Sequence, residues 1–455
     1  MIKRNFLGST ELEVSKLGFG TYRVDARVKT HEQALTYALD QGINLMDTSS
    51  NYMHGYSEQL IGKVINQKIK SGQLKRKDCV IVSKVGYVQG ETLKKVKQNQ
   101  EGYGQALVKI NDQHWHCLAP HFIQQQIDQS LQRMQLEHID VYLLHNPEYL
   151  LPTLGEEKFY SVIELAFAAL ETAVAEGKIK YYGISSNTFA LKDNQVNLDK
   201  VWACANKVNV ENHFRVIQFP LNLFESGAVL DEDINLLEKA QIYGLGTLAN
   251  RPLNAFTPAK ELFRLVSFNI DKDEVLLDKE VEKRLQALVQ WEKEFKQIPI
   301  DEKIQPFFLG HVLYAQKENI TDLFQWQDLY RFQIHPLLEN SIKQLSQIDE
   351  VRTWLEEYTT QSMQLIQTYT DYLKLKAQKK SGALMYWLDK QSEDLKQFDT
   401  LSQKVLSLYQ ALPDLSSVLV GMREEKYVED VLNSQANLNE EQAKQIIQLF
   451  KDVAS

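Results

Sequence analysis

Four side chains suited to proton transfer lie at or just after the ends of three apolar segments. Asp47 ends the segment INLMD and Tyr52 follows it, Lys84 ends CVIVSK, and His145 ends IDVYLLH. An acid, a phenol, an ammonium and an imidazole in one pocket suit proton transfer to a carbonyl oxygen. Since a parallel barrel gathers its reactive groups at the carboxyl ends of its strands, this placement predicts a single site built from residues distant in sequence.

The elements that position these residues follow a repeating pattern. Short strand patterns alternate with helical patterns from residue 16 to residue 253, as in strand–helix units with a parallel sheet. Seven strands fall in this range, and an eighth is predicted within SSVLVGM, residues 416–422. Eight strands predict an α/β fold, a closed (β/α)8 TIM barrel. A doubly wound open sheet is the weaker alternative, because no G-x-G-x-x-G follows the first strand.

The interval of about 160 residues between strand 7 and strand 8 is too long for a simple connection. Apolar residues recur there at helical spacing, with charged residues between them. We therefore predict a large helical insertion over 257–397, between strand 7 and helix 7, and a barrel formed by 1–256 and 398–455. Three roles stay open for the insertion: a lid over the mouth, a subunit interface, or an appendage beside the barrel.

The composition favours a folded protein that binds neither nucleic acid nor membrane. Of 455 residues, 44% are hydrophobic and 24% charged, and 51 basic against 60 acidic residues give a formal charge of −9. This charge gives no attraction to nucleic acid or anionic lipid. We find no apolar stretch typical of a signal or membrane span, and the three cysteines are too few and too dispersed for a disulfide framework. A cytoplasmic location is expected.

Several motifs occur in an order that is typical of one enzyme family. Along the chain stand LGFGTY, DTSSNYMHGYSEQLIGKVI, VSKV, IDVYLLHNPE, YYGISSN, QFPLNL, RPL and VLVGMREEKYVEDVL. Together they resemble the aldo-keto reductase family over residues 3–256 and 398–433. The resemblance implies a barrel closed at its bottom by a hairpin within RNFLGSTELEVS, and a nicotinamide cofactor bound across the mouth.

The resemblance places the family's catalytic residues on Asp47, Tyr52, Lys84 and His145. A free tyrosine has a pKa of about 10 and is a poor acid near neutrality. We expect Lys84, held by Asp47, to lower the pKa of Tyr52, so that Tyr52 is the general acid in reduction and the base in oxidation. His145 is expected to hydrogen-bond the substrate oxygen and orient it.

The resemblance also implies the cofactor-binding residues. For the nicotinamide carboxamide these are Ser185, Ser186, Asn187 and Gln218. For the remainder of the cofactor they are Arg251, Gly421, Arg423 and Asp430. Arg423 suits a ribose 2′-phosphate and favours NADPH, with NADH as the alternative. Asn250 stands where the family often has an aromatic residue that stacks on the nicotinamide, and Asp430 where it commonly has Glu.

Residues near the mouth are the candidate substrate contacts. They are Tyr22, His54, Tyr87, Trp115 and His116. Trp115 and His116 belong to an unusually long segment after Lys84, and mouth loops determine specificity on this fold. His114, Cys117 and His121 in the same segment are metal-ligand types, but their spacing matches no closed zinc site, so no metal is expected.

The sequence thus predicts an NAD(P)H-dependent oxidoreductase acting on an aldehyde, a ketone or a sugar lactol. An oligomer formed through the helical insertion is compatible with this prediction. A cofactor-binding regulatory or assembly subunit, which uses the insertion to bind a partner protein, is the alternative. The presence of all four catalytic residue types favours the enzyme.

Overall fold

The computed structural model describes residues 2–191, 196–230, 235–257, 261–295, 297–300, 305–320, 322–435 and 437–454. The strands are β1 (Arg4–Phe6), β2 (Glu13–Ser15), β3 (Leu17–Gly20), β4 (Leu45–Asp47), β5 (Val80–Val85), β6 (Tyr87–Val88), β7 (Leu107–Lys109), β8 (Trp115–Cys117), β9 (Ile139–His145), β10 (Ile179–Ser185), β11 (Phe214–Pro220), β12 (Gly246–Asn250), β13 (Asn254–Phe256), β14 (Leu262–Arg264) and β15 (Ser417–Gly421).

The helices are α1 (Lys29–Asp40), α2 (Tyr56–Lys70), α3 (Gly90–Gln98), α4 (Pro120–Met134), α5 (Leu151–Leu154), α6 (Glu156–Ala175), α7 (Leu198–Val208), α8 (Leu236–Ile242), α9 (Glu274–Phe295), α10 (Leu309–Gln316), α11 (Leu323–Leu329), α12 (His335–Leu345), α13 (Arg352–Gln391), α14 (Glu393–Lys396), α15 (Leu401–Gln410), α16 (Glu425–Leu432) and α17 (Glu440–Ala454). Among the described residues, no helix is both long and apolar enough to cross a membrane.

Eight parallel strands close into a barrel. Their order is β3, β4, β5, β9, β10, β11, β12 and β15, which returns to β3. β5 and β9 are buried along their whole length, because the barrel interior covers one face of each strand and the surrounding helices cover the other. The predicted (β/α)8 fold with a large helical insertion is confirmed.

The bottom of the barrel is closed by a hairpin of β1 and β2, which pair antiparallel. Leu7, Leu12 and Val14 of this hairpin belong to the buried core cluster that includes Val80 and Val141 at the strand starts. Gly8 adopts a positive φ of 60°, and a Cβ there would lie 2.2 Å from the backbone nitrogen of Gly246. Only glycine allows the hairpin to approach β12 so closely.

The long segment after β5 is more ordered than the sequence suggested. It contains α3 and a three-stranded antiparallel sheet in the order β6, β8, β7. Tyr87 pairs with His116 in this sheet, and Val88 pairs with Trp115. The strands are only two or three residues long. Such short strands show no clear alternation of apolar and polar residues and no turn motif from which they could be predicted.

The chain forms two compact units. The first comprises Met1–Leu265 and Gln391–Ser455, and the second comprises Val266–Lys390. The segment predicted as an insertion, 257–397, therefore contains the second unit together with short flanks that belong to the first. Of that segment, residues 258–260, 296, 301–304 and 321 lie outside the described residues.

The second unit is helical, as its sequence period indicates. Leu277, Val281, Leu285 and Leu288 form the buried stripe of α9. The buried carboxylate of Glu292, on the same helix, accepts hydrogen bonds from the backbone N–H groups that begin α10. The unit thus has its own apolar core and its own satisfied buried acid.

Candidate active site

Three adjacent barrel strands carry the predicted catalytic side chains to one end. Asp47 is the last residue of β4, Lys84 lies near the end of β5, and His145 ends β9. Tyr52 begins a single 3₁₀ turn, Tyr52–Gly55, a few residues after β4. All four residues therefore lie at the carboxyl ends of the strands, where this fold places its reactive groups.

The Lys84 ammonium is held by three oxygen acceptors. Its Nζ donates to Asp47 Oδ2 at 2.8 Å, to the Thr48 carbonyl oxygen at 2.8 Å and to Tyr52 Oη at 3.4 Å. An ammonium has three N–H donors, so each has a partner. The Lys84 side chain is 0% exposed. This geometry joins the buried carboxylate, the buried ammonium and the half-buried phenol into one cluster.

The pKa of Tyr52 is shifted upward, opposite to the net direction expected from the sequence. Burial, chiefly, and then the negative charge of Asp47 raise the pKa of Tyr52 well above its ordinary value. Burial also lowers the pKa of Lys84, although Asp47 opposes that shift. Desolvation of the phenolate therefore dominates the pKa of Tyr52 in the protein by itself, and the effect of Lys84 on that pKa stays a prediction. Tyr52 carries its proton at neutral pH.

His145 lies beside Tyr52 as a neutral imidazole. The two ring centroids are 5.9 Å apart, with an interplanar angle of 78°. Burial, followed by the positive charge of Lys84, places the pKa of His145 well below its ordinary value. Its Nδ1 lies 3.2 Å from Ser49 Oγ. Ser49 was not singled out in the sequence, because a serine beside an aspartate at a strand end carries no distinctive signal.

The predicted carboxamide-binding residues continue from this cluster. Gln218 Nε2 donates to Asp47 Oδ1 at 2.7 Å, and Ser185 Oγ donates to Gln218 Oε1 at 2.9 Å. Asn250 Nδ2 lies 3.4 Å from the same Gln218 oxygen. Asn250 Oδ1 is buried and has no hydrogen-bond partner among the described residues. A cluster of polar side chains, which includes the unpartnered Asn250 oxygen, therefore adjoins Asp47.

Ser186 and Asn187 lie close by but contact a residue that the sequence analysis missed. The Asn187 backbone N–H donates to Glu148 Oε1 at 2.9 Å, and Ser186 Oγ lies 3.0 Å from Thr188 Oγ1. Burial raises the pKa of Glu148 to about 7. Glu148 follows His145 by three positions, so its place after a strand end was the available signal.

Of the remaining cofactor candidates, Arg251 and Asp430 already contact other protein side chains, and Gly421 and Arg423 lie between β15 and α16. Arg251 pairs with Glu225 at 2.6 Å, and its backbone has a positive φ of 54°. Gly421 ends β15, and Arg423 follows it before α16. The Asp430 carboxylate accepts hydrogen bonds from three side chains at the start of α15, those of Thr400, Ser402 and Gln403. Asp430 thus joins two helices of the barrel, and its carboxylate is already engaged.

The five candidate substrate contacts divide by exposure. Tyr22 is 64% exposed and meets the Tyr52 ring edge-on at 5.2 Å between centroids, and His54 is exposed in the 3₁₀ turn. Tyr87 is half-buried, with its ring centroid 4.8 Å from that of His145. Trp115 and His116 are instead buried in the small sheet after β5.

His116 supports the site from behind rather than lining its rim. Its Nε2 donates to the His145 carbonyl oxygen at 2.7 Å, since a carbonyl oxygen can only accept. Burial lowers the pKa of His116 to about 4. His116 therefore fixes the backbone at the end of β9 as a neutral side chain.

The arrangement agrees with comparisons to known proteins. The profile of the Aldo/keto reductase family matches residues 16–288. Aldo-keto reductase YhdN of Bacillus subtilis is 27% identical over 225 residues, which cover 48% of this chain and 54% of that protein. The NADH-specific methylglyoxal reductase of Escherichia coli is 27% identical over 194 residues, which cover 41% of this chain and 52% of that protein. The chain thus spans about half the length of these curated relatives.

A solved structure agrees at the level of the fold. The holo form of an aldo-keto reductase from Bacillus halodurans aligns with 99% of this chain and 96% of its own, at a TM-score of 0.50 and 17% identity. Because the family profile covers more than half of the residues, the chain belongs to the aldo/keto reductase family of oxidoreductases.

Proposed function

We propose that this chain is an NAD(P)H-dependent oxidoreductase that transfers a hydride between a nicotinamide cofactor and an aldehyde, a ketone or a sugar lactol. The observation that carries this proposal is the contact of Tyr52 Oη with Lys84 Nζ at 3.4 Å, where Lys84 is paired with Asp47. A protonated phenol at the carboxyl end of a barrel, next to a buried ammonium, is suited to deliver a proton to a carbonyl oxygen.

In reduction, Tyr52 donates its hydroxyl proton to the substrate oxygen. The phenolate left on Tyr52 then faces the third N–H group of Lys84, which stabilises the new negative charge. Asp47 keeps that ammonium in place through the 2.8 Å ion pair. His145 hydrogen-bonds the substrate oxygen and orients it. In oxidation, the proton returns to Tyr52 along the same path.

The residues present fit a nicotinamide cofactor, which supplies or accepts the hydride when it is bound. Asn250 Oδ1 is a buried acceptor with no partner in the described part of the chain, and the amide N–H group of a carboxamide would satisfy it. Ser185 and Gln218 stand next to it and offer further polar groups. Asn250 would then hold the carboxamide by a hydrogen bond, in place of an aromatic residue that stacks on the ring.

NADPH is the cofactor that the charges favour. Arg423 precedes α16, whose first N–H groups suit a phosphate. The neighbouring Glu424 would repel a phosphate, but its carboxylate is paired with Lys426 at 2.7 Å. NADH stays the second candidate, since one relative is named as an NADH-specific reductase.

We also propose a reducing compartment, the cytoplasm, for this protein. Cys79, Cys117 and Cys204 are all free and buried. Burial raises the pKa of each thiol, to about 11 for Cys79 and Cys204 and about 12 for Cys117, so none is set up to form a disulfide.

A fluorescence titration followed by a substrate screen tests the proposal. The purified protein is titrated with NADPH and with NADH, and then assayed with aldehydes, ketones and aldoses at pH 7 and at pH 9. We expect saturable binding, tighter for NADPH, and turnover in at least one direction. Failure to bind either nucleotide, or binding without turnover of any member of the panel, would contradict the proposal.

A further inference from the structure

In the small sheet after β5, Tyr87 and His116 lie side by side. Tyr87 of β6 pairs with His116 of β8 in antiparallel register, and the neighbouring pair is Val88 with Trp115. Directly opposite residues of an antiparallel pair point to the same face of a sheet, and successive residues of a strand point to opposite faces. Tyr87 and His116 therefore share one face of the sheet, and Val88 lies on the other.

His116 contacts the backbone at the end of β9. Its Nε2 donates to the His145 carbonyl oxygen at 2.7 Å, and the whole side chain is buried. Its Nδ1 is buried without a hydrogen-bond partner in the part of the chain that the structure describes. A buried nitrogen without a partner costs stability, and the hydrogen bond to His145 offsets that cost.

The absence of a side chain at Gly86 makes this contact possible. A Cβ there would lie 2.4 Å from His116 Nε2 and 2.7 Å from the His145 carbonyl oxygen. The Gly86 carbonyl oxygen also accepts from the Cys117 backbone N–H at 2.8 Å, which ties β8 to the chain just after β5. A larger residue at this position would separate His116 from β9.

Tyr87 contacts the same end of β9 through its ring and its hydroxyl group. Its ring lies edge-on to the His145 ring, with 4.8 Å between the centroids. Its hydroxyl oxygen accepts from Asn146 Nδ2 at 2.7 Å. Asn146 follows His145 with a left-handed φ of 50°. The sheet thus contacts the His145 ring, the His145 carbonyl group and the residue that follows.

We infer that His116 and Tyr87 are positioning residues, which fix the His145 imidazole where it and Tyr52 can reach one substrate oxygen. His116 then acts through the backbone of β9 and not by touching the substrate. A displacement of about 1 Å at such a group can cost about a hundredfold in rate. The inference deepens the proposed function, because it rests on His145 binding the substrate oxygen.

The contact with His116 can be followed in the protein without cofactor. His145 is the only histidine of the sequence that precedes an asparagine. Protein with carbonyl-13C histidine and 15N asparagine therefore gives one amide signal that reports the His145 carbonyl carbon. We expect His116→Phe, which keeps an aromatic ring but loses the donor, to shift that carbon upfield because its hydrogen bond is lost.

Two further variants separate the hydrogen bond from a general effect on the sheet. His116→Gln can still present a side-chain N–H and should keep the His145 carbon close to its wild-type position. Val88→Ala disturbs the sheet from its other face and should leave the signal unmoved. An unmoved signal in His116→Phe, or an equal shift in Val88→Ala, overturns the inference.

Turnover separates positioning from substrate contact. Propanal and benzaldehyde differ in size but share the carbonyl group, so a positioning role predicts the same loss for both. We expect His116→Phe to lower kcat/KM by roughly ten- to a hundredfold for each aldehyde, with the NADPH Kd unchanged. Tyr87→Phe, which leaves Asn146 Nδ2 without its acceptor, should cause a smaller loss that is also equal for the two. His116→Gln should restore most of the activity.

Losses that differ between the two aldehydes would assign these residues to substrate contact and overturn the inference. A raised NADPH Kd in His116→Phe would overturn it as well, because the effect would then not be confined to the end of β9. If the wild-type protein binds no nucleotide or reduces neither aldehyde, the proposed function fails. The carbonyl signal of the free protein still decides whether His116 positions β9.

Discussion

The Asp47 carboxylate binds Lys84 with one oxygen and Gln218 with the other. Oδ2 accepts from the Lys84 ammonium at 2.8 Å, and Oδ1 accepts from Gln218 Nε2 at 2.7 Å. Asp47 therefore lies between the group that contacts Tyr52 and the predicted carboxamide pocket. A substitution of Lys84 or of Gln218 should therefore alter the position of the other residue, because both donate to the same buried carboxylate.

Removing the Lys84 ammonium should destabilise the fold. Lys84→Met leaves Asp47 buried without its ion partner, and breaking such a pair costs about 3–5 kcal/mol in the free energy of unfolding. Urea denaturation measures this loss. The double variant with Asp47→Asn should lose less than the sum of the two single losses. Lys94→Met removes an exposed partner of Glu91 and should leave stability unchanged. Strict additivity in the cycle would show that the buried pair is not coupled.

The phenol of Tyr52 should matter for turnover and not for cofactor binding. We expect Tyr52→Phe to lower kcat by about 10²–10⁴-fold, the usual contribution of a general acid, with the nucleotide Kd unchanged. Tyr243→Phe is the matched control, because the Tyr243 hydroxyl contacts the exposed Asp199 of α7. Steady-state kinetics on both variants gives the comparison. Equal losses in the two would remove Tyr52 from its proposed role.

Asn250 should contribute one hydrogen bond to the nicotinamide carboxamide. Loss of a hydrogen bond between neutral groups costs about 0.5–1.5 kcal/mol, so Asn250→Ala should raise the Kd for both nucleotides by roughly two- to tenfold. Nucleotide fluorescence titration measures the change. Asn209→Ala, at the end of α7 where the side chain is exposed, should leave both values unaltered. An unaltered Kd in Asn250→Ala would show that the Asn250 side-chain oxygen does not bind the nicotinamide carboxamide.

Arg423 should discriminate between the two nucleotides. A hydrogen bond to a charged group contributes about 1.5–3 kcal/mol, so Arg423→Ala should weaken NADPH binding by roughly ten- to a hundredfold and leave NADH binding nearly unchanged. Lys77→Ala removes a positive charge just before β5, at the opposite end of the barrel, and serves as the control. Parallel losses for NADPH and NADH would argue against a 2′-phosphate contact.

His116 should make the fold sensitive to acid. Its pKa falls to about 4 on burial, so the folded state binds fewer protons than the unfolded state, whose histidine titrates near about 6.5. The stabilisation that comes from keeping His116 neutral is complete above about pH 6.5. It is lost as the pH falls toward about 4. Between pH 7 and pH 4.5, His116→Gln should therefore lose about 2–3 kcal/mol less unfolding free energy than the wild type. Denaturation at both pH values measures the difference, and the exposed His114→Gln should behave as the wild type.

Sequence patterns alone identified the eight barrel strands and the residues at the strand ends. These features follow from local periodicity, because a run such as IDVYLLH is apolar enough to be a buried strand and the carboxyl end of such a strand is where His145 must emerge. The family resemblance then gave Asp47, Tyr52 and Lys84 their expected roles before any geometry was known.

Only the tertiary structure decided the electrostatic state of those residues. The high pKa of Tyr52 arises from desolvation, which depends on what the fold packs around the phenol. The His145 ring has its Nδ1 3.2 Å from the hydroxyl of Ser49, a residue 96 positions away in sequence. Whether His116 lines the mouth or supports it is likewise a matter of burial. Local sequence determines which groups reach the end of the barrel, but their protons are placed by neighbours that only folding brings within hydrogen-bonding distance.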